Sequence, residues 1–199
     1  EDYILLMKNN IILIVFCLFQ SNILGEKLMN EMQKATFGAG CFWCVEAVFE
    51  RLDGVKDVMP GYTGGHKNNP TYKEICTGMT GHAEVAQVTY DSKIITFNEL
   101  LDMFWKSHDP TTRNRQGNDI GTQYRSAIFY HNDEQKLLAE ESKLKVDNSH
   151  IFTNPIVTEI TKLDKFWPAE DYHNNYYANN MDQPYCRIVI KPKLDKLFK

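Results

Sequence analysis

Apolar residues recur along the chain in two rhythms, one of period two and one of period 3.6, and each marks a different element. Thr36 to Gly40 reads as a short strand running into a glycine turn. A helix follows, with Val45, Val48, Phe49 and Leu52 at i, i+3, i+4 and i+7, and Gly54 stops it. Val55 to Met59 suits a strand; Pro60 to Pro70, rich in Gly, Asn and Pro, suits a loop. From Glu84 to Tyr90 the pattern alternates, placing Glu84, Ala86, Val88 and Tyr90 on one face of a strand. Thr96 and Glu99 form a capping box that opens a helix with the stripe Phe97, Leu100, Leu101, Phe104, ended by His108-Asp109-Pro110. A polar loop runs to Gly121, and Tyr124 to Tyr130 is the next strand. Asn132 caps a charged helix reaching about Val146, and Pro155 to Thr161 is a further strand. The rest is irregular and rich in Tyr, Asn and His.

Strands and helices alternate, but no GxGxxG or Walker sequence is present, so a nucleotide-binding fold lacks its phosphate loop. An α+β sandwich is the better architecture. The chain has 199 residues, enough for one domain with a sizeable core. Its net charge of −4 gives no broad basic surface for nucleic acid. The first 33 residues differ in texture and form an N-terminal extension to a domain over 34–199. Met7-Lys8-Asn9-Asn10 leads into the apolar run Ile11 to Phe19, the pattern of a secretory signal peptide over 7–25. That run falls short of the roughly 20 apolar residues a membrane-spanning helix needs. The alternative is a protein that begins at Met29 or Met32. Export to an extracytoplasmic space and a cytoplasmic location both follow from this segment, one from each start.

Five cysteines are too few and too irregularly spaced for a disulfide scaffold, and suit working thiols instead. Cys41 sits where Gly40 meets a helix start, a place that favours thiolate. The first amides of a helix lack internal partners and can face a thiolate or a substrate oxygen. Phe42 and Trp43 add two aromatic faces beside the sulfur, which suits a small apolar group such as a methyl. Three chemistries compete for this cluster. Cys41 and Cys44 form a CxxC that can exchange disulfides. Cys41, Cys44, Cys76 and Cys186 can together ligate zinc, although no second CxxC or CxxH stands with them. Or Cys41 attacks a small oxidised substrate. Glu84, aligned with apolar residues on its strand face, is a candidate for a desolvated, protonated acid.

The chain resembles the peptide methionine sulfoxide reductases of type A from about Thr36 to Lys193. The resemblance rests on Gly40-Cys41-Phe42-Trp43-Cys44-Val45-Glu46, Gly61-Tyr62-Thr63-Gly64-Gly65, Asn69-Pro70-Thr71-Tyr72 and Gly81-His82-Ala83-Glu84-Val85. It continues through Asp109-Pro110-Thr111-Thr112 to Tyr124-Arg125-Ser126, and Phe166-Trp167-Pro168-Ala169-Glu170-Asp171-Tyr172-His173. It implies a ferredoxin-like α/β sandwich with a long C-terminal coil. The implied activity is reduction of the S epimer of methionine sulfoxide, free or in oxidised proteins under repair. Electrons come from thioredoxin, without metal or flavin, and the enzyme is a monomer. By resemblance Cys41 is the nucleophile that becomes a sulfenic acid, and Glu84 is the acid. Phe42 and Trp43 form the methyl pocket, Tyr72 and Tyr124 hold the sulfoxide oxygen, and Asp119 binds the substrate backbone. His173 and Tyr176 line the same basin. Tyr185-Cys186 matches the segment that often carries the recycling cysteine, so Cys186 is the favoured resolving thiol. Cys44 is the alternative, because the CxxC spacing puts it one helical turn from Cys41; many relatives carry Gly there, a departure that leaves the recycling path open between the two. Cys76 is left as a passive thiol.

Overall fold

The structure is a computed structural model that describes residues 32–199. The signal-peptide segment over 7–25 and the alternative start at Met29 lie outside the described residues. Strand β1 (Met32–Ala39) leads into helix α1 (Phe42–Phe49) and strand β2 (Val55–Thr63). A one-turn helix α2 (Tyr72–Ile75), strand β3 (Ala83–Asp91) and helix α3 (Phe97–Ser107) follow. A small hairpin pairs β4 (Arg115–Gln116) with β5 (Asp119–Ile120). Then come β6 (Ser126–Tyr130), α4 (Asp133–Asn148), β7 (Glu159–Lys162) and β8 (Trp167–Pro168). One sheet runs in the order β7-β6-β1-β3-β2-β8. Its centre, β6-β1-β3-β2 with α1 and α3 as crossovers, is the ferredoxin-like arrangement. The β6–β7 pair is parallel and is bridged by α4, as a parallel pair requires, so the sheet is mixed.

Phe37 of β1 shows how the layers meet. Its ring lies 5.1 Å from Phe49 of α1, and 6.1 and 5.3 Å from Phe97 and Phe104 of α3. Both helices therefore cover one face of the sheet. Thr96 caps α3 with the full capping box that its sequence announces. Asn132 caps α4 through its side chain, which accepts from the Gln135 amide. Ala86, Val88 and Tyr90 of β3 belong to the core under these helices, whereas Ala83 and Val85 join a second cluster with Phe129 and Phe166. Glu84 shares the face of Ala86, so the alternation along β3 aims its carboxyl at the helix layer.

Three boundaries differ from the sequence expectation. Pro60 and Gly61 belong to β2, not to a loop. Pro60 sits just past the two-residue pairing of β2 with β8, and Gly61 is where Phe166 and Trp167 press on the strand. A Cβ at Gly61 would lie 2.4 Å from the Phe166 ring and 2.5 Å from the Trp167 carbonyl. Gly61→Ala should therefore destabilise the protein by about 1–3 kcal/mol in a urea titration, the usual cost of overpacking; an unchanged midpoint would contradict this contact. The strand after Pro155 pairs only from Glu159. Lastly, the expected long C-terminal coil is only partly coil. After Tyr176–Asn179 (α5), Cys186–Ile190 forms a π-helical turn that runs into Lys191–Leu197 (α6). Cys186, Ile190 and Leu194, all buried, recur at i, i+4 and i+8, an apolar stripe that docks this end as a helix. Among the described residues no helix is long and apolar enough to cross a membrane.

Candidate active site

Gly40 adopts φ +89°, and a Cβ there would lie 2.6 Å from the Gln116 side chain. Only glycine suits both demands. The turn delivers Cys41 as the residue that caps α1, with its side chain making no cap bond. The first free amide of the helix is not left for the sulfur. Phe42 N–H donates to Glu84 Oε2 at 3.1 Å. Glu84 is 1% exposed, and its other oxygen, Oε1, is buried without a hydrogen-bond partner. Burial pushes its carboxyl up to about 8, against the pull of the Phe42 amide and with help from the Asp119 and Cys44 charges. The acid is thus mostly protonated at neutral pH.

Cys41 is 8% exposed, and burial raises its thiol well above the ordinary value, aided by its contacts with Cys44 and the Glu84 charge. Burial thus works against the acidification expected of a helix start, whose first amide Glu84 already occupies. Cys44 moves the other way, to about 7, chiefly through its hydrogen bond with Cys41 and also through the Lys193 charge and Tyr185. Once the pair has lost one proton the two sulfurs share the other, so the first ionisation belongs to the pair. Tyr185 Oη lies 3.7 Å from Cys44 Sγ and donates to Asp119 Oδ2 at 2.7 Å. Cys186 is fully buried in the π-helical turn, close enough that the Cys44 charge raises its thiol further after burial. A cleft of about 340 Å³ opens onto this group, lined by both sulfurs, Asp119, Tyr185, Val189 and Lys193.

On the other side of Cys41 an aromatic wall forms. Phe42 lies 6.2 Å from Tyr72 and 4.8 Å from His173, ring to ring. Trp43 stacks on Tyr176 at 3.6 Å and donates its indole N–H to His173 Nδ1 at 3.0 Å. That bond makes Nδ1 the acceptor, so the neutral ring carries its proton on Nε2. Burial holds His173 below its ordinary pKa, favouring this neutral form. Tyr124 is half-buried, and after burial the charges of Glu84, Cys41 and Asp119 raise its phenol, which places it in the same field. Tyr72 likewise responds to burial and then to Glu84. Cys76 is exposed and hydrogen-bonds the Tyr72 side chain. Among the described residues no three His, Cys, Asp or Glu side chains stand close enough to hold a metal ion. The four described cysteines therefore do not form the zinc arrangement weighed from sequence.

Sequence reasoning missed four residues that build this site. Glu170 accepts from the Tyr72 amide at 2.8 Å and from the Tyr62 hydroxyl at 2.9 Å. Glu46 is buried in α1 and accepts from the amides of Asn175 and Tyr176 at 2.7 and 3.2 Å. It ties the His173–Tyr176 segment to the helix that carries Cys41. Its signal was available, since Glu46 is the only charge in the stretch Phe42–Phe49. Tyr185 and Lys193 had no such signal, because most of the domain separates them from Cys41 and Cys44 in sequence.

Comparison with known proteins agrees with this geometry. A family model described as peptide methionine sulfoxide reductase matches residues 33–199. The chain is 54% identical over 168 residues to the peptide methionine sulfoxide reductase MsrA of Leptospira borgpetersenii serovar Hardjo-bovis, covering 84% of this chain and 94% of the relative. Among solved structures it is similar to reduced Mxr1 from Saccharomyces cerevisiae, with TM-score 0.74, 37% identity and coverage of 79% of this chain and 90% of Mxr1. Mxr1 in complex with Trx2 matches with TM-score 0.54 and 29% identity, over 72% of this chain and 85% of the other.

Proposed function

The chain belongs to the peptide methionine sulfoxide reductase family, and on that premise we propose how its own residues carry out the reaction. The enzyme is a peptide-methionine (S)-S-oxide reductase that spends two thiols to convert the sulfoxide to methionine and water. The observation that carries the assignment of roles is Glu84: a buried acid anchored on the amide next to Cys41, with one oxygen unpartnered.

The sulfoxide methyl packs against Phe42 and Trp43, and its oxygen faces Glu84 Oε1 and the hydroxyls of Tyr72 and Tyr124. Asp119 receives the substrate backbone amide. His173 and Tyr176 act one step back, fixing the Trp43 ring by the indole bond and the stack. Glu84 gives its proton to the oxygen, which makes the sulfur electrophilic and the oxygen able to leave. Cys41 Sγ passes its proton to the Cys44 thiolate and attacks that sulfur. Methionine departs and Cys41 carries the hydroxyl as a sulfenic acid. Attack by a second thiol then releases water and leaves a disulfide.

The sequence favours Cys186 for that second thiol; the direct contact of Cys41 with Cys44 supports Cys44 instead. Cys186 is fully buried at the start of a π-helical turn. A thioredoxin returns the disulfide to thiols, a reading supported by the complex of the relative Mxr1 with Trx2. Free and protein-bound methionine sulfoxide both suit a site in which Asp119 is assigned to the substrate backbone. Every residue invoked comes from one chain, so a monomer suffices, and no metal or prosthetic group enters any step.

The test is turnover of the two sulfoxide epimers with dithiothreitol. The S epimer should be consumed and the R epimer left; equal consumption would overturn the pocket assignment. Peptide mapping after one turnover without reductant should recover a Cys41–Cys44 disulfide. A Cys41–Cys186 product would restore the order read from sequence.

A further inference from the structure

The hydroxyl of Tyr185 has one proton, and the geometry shows where it goes: to Asp119 Oδ2 at 2.7 Å. The phenolic oxygen is then left as an acceptor. Cys44 Sγ, 3.7 Å away, lies within hydrogen-bond range of it for sulfur, so Cys44, once it has taken up the Cys41 proton, is the donor. The three groups form an ordered chain, S–H to O–H to carboxylate, along the wall of the cleft that opens beside Cys41.

We propose that Tyr185 and Asp119 are the proton exit of the resolving step, Tyr185 as a catalytic shuttle touching Cys44 and Asp119 as the acceptor behind it. The inference rests on the reading that Cys44 resolves the sulfenic acid. In that step Cys44 must lose a proton as its sulfur attacks Cys41 Sγ. The S–O bond of the sulfenic acid breaks, the S–S bond forms, and the hydroxide released takes a proton from the water of the cleft, to which Asp119 returns one, and leaves as water. The proton from Cys44 moves onto the Tyr185 oxygen as the Tyr185 proton moves onto Asp119. Asp119 is half-exposed at the cleft and hands it to water.

Cys44 needs such help at that moment. Its ease of ionisation in the resting enzyme comes chiefly from the Cys41 thiol beside it, and that thiol no longer exists once Cys41 is oxidised. Around Cys44, burial and the Asp119 charge oppose a thiolate, and Glu84 becomes an anion after giving up its proton. Cys186 is an uncharged buried thiol; among the described residues the Lys193 charge and the Tyr185 hydroxyl favour ionisation. Tyr185 cannot serve as a base in its own right. Burial and then the charges of the two sulfurs push its phenol far above the ordinary value, so it can only pass a proton on.

The test is a single turnover of Tyr185→Phe with stoichiometric sulfoxide and no reductant, from about pH 6 to about pH 9.5. Methionine release is followed by chromatography, sulfenic acid by dimedone trapping and the disulfide by mass. Phe keeps the ring that meets Trp43 edge-on at 5.8 Å. The wild type should yield little trapped sulfenic acid at any pH. Tyr185→Phe should accumulate it near neutrality, with disulfide formation slower than methionine release by roughly 10² relative to wild type, and the lag should vanish toward alkaline pH as the thiol ionises unaided. Asp119→Asn, which cannot accept the proton, should show the same pH-dependent lag. A Tyr185→Phe enzyme that resolves at the wild-type rate, or one slowed by the same factor at every pH, overturns the relay. Cys44→Ser separates the two ideas: disulfide formation through Cys186 at an undiminished rate would refute the role of Cys44 itself.

Discussion

Cys41→Ser should release no methionine from the S-sulfoxide, in single turnover or with dithiothreitol, a loss of at least about 10³-fold. The reason is the element, not the shape. The step transfers an oxygen to the attacking atom, and only sulfur can take it up as a sulfenic acid. A serine hydroxyl also has no accessible anion near neutrality in a place already 92% removed from solvent by the same packing that leaves Cys41 8% exposed. Serine fits the space of the thiol and can still hydrogen-bond Cys44, so the fold should survive. Chromatographic measurement of methionine against the epimer supplied gives the answer directly. Any burst approaching one equivalent from this variant would end the assignment of Cys41 as nucleophile.

The sequence announced the site more clearly than the fold that carries it, and the reason lies in range. Cys41, Phe42 and Trp43 are adjacent, so their junction with Gly40 is legible in four letters. Glu84 was legible through alternation, because a charged residue in register with Ala86, Val88 and Tyr90 must be buried on the helix side. By contrast, the burial that opposes ionisation of Cys41 was not legible. Helix-end arguments are local, while the burial that raises the thiol comes from strands, α1 and the C-terminal helix together. Pro60 and Gly61 misled for a related reason. Both are turn residues by propensity, yet Phe166 and Trp167, about a hundred residues later, demand a glycine in the middle of β2. The final helix hid because its apolar stripe of Cys186, Ile190 and Leu194 is thin and surrounded by lysines. Tyr185, set just before that helix, could acquire a function only once its distances to Cys44 and Asp119 were known.

Glu84→Gln should lower the rate of methionine release by roughly 10²–10⁴-fold, the span expected when a positioned general acid is removed. Gln keeps the acceptor for the Phe42 amide and the volume of the side chain, so what disappears is the proton. The pH profile gives the sharper check. Wild-type turnover should rise as the cysteine pair ionises near about 7 and fall as Glu84 loses its proton near about 8. In the variant the alkaline fall should be absent from what activity remains. Stability should move in the opposite direction to activity. The folded-state pKa of Glu84 is raised from 4.5 to about 8, so the folded protein binds the proton more tightly than the unfolded chain. Its contribution is fully present below 4.5 and is lost as pH climbs through 8. Gln is neutral throughout and escapes that loss. The melting temperature of Glu84→Gln should therefore exceed that of the wild type at about pH 8.5, with the gap closing toward about pH 4.5. A variant that is slow but gains nothing in alkaline stability would mean that Glu84 is ionised in the folded protein and acts as a charge instead of as an acid.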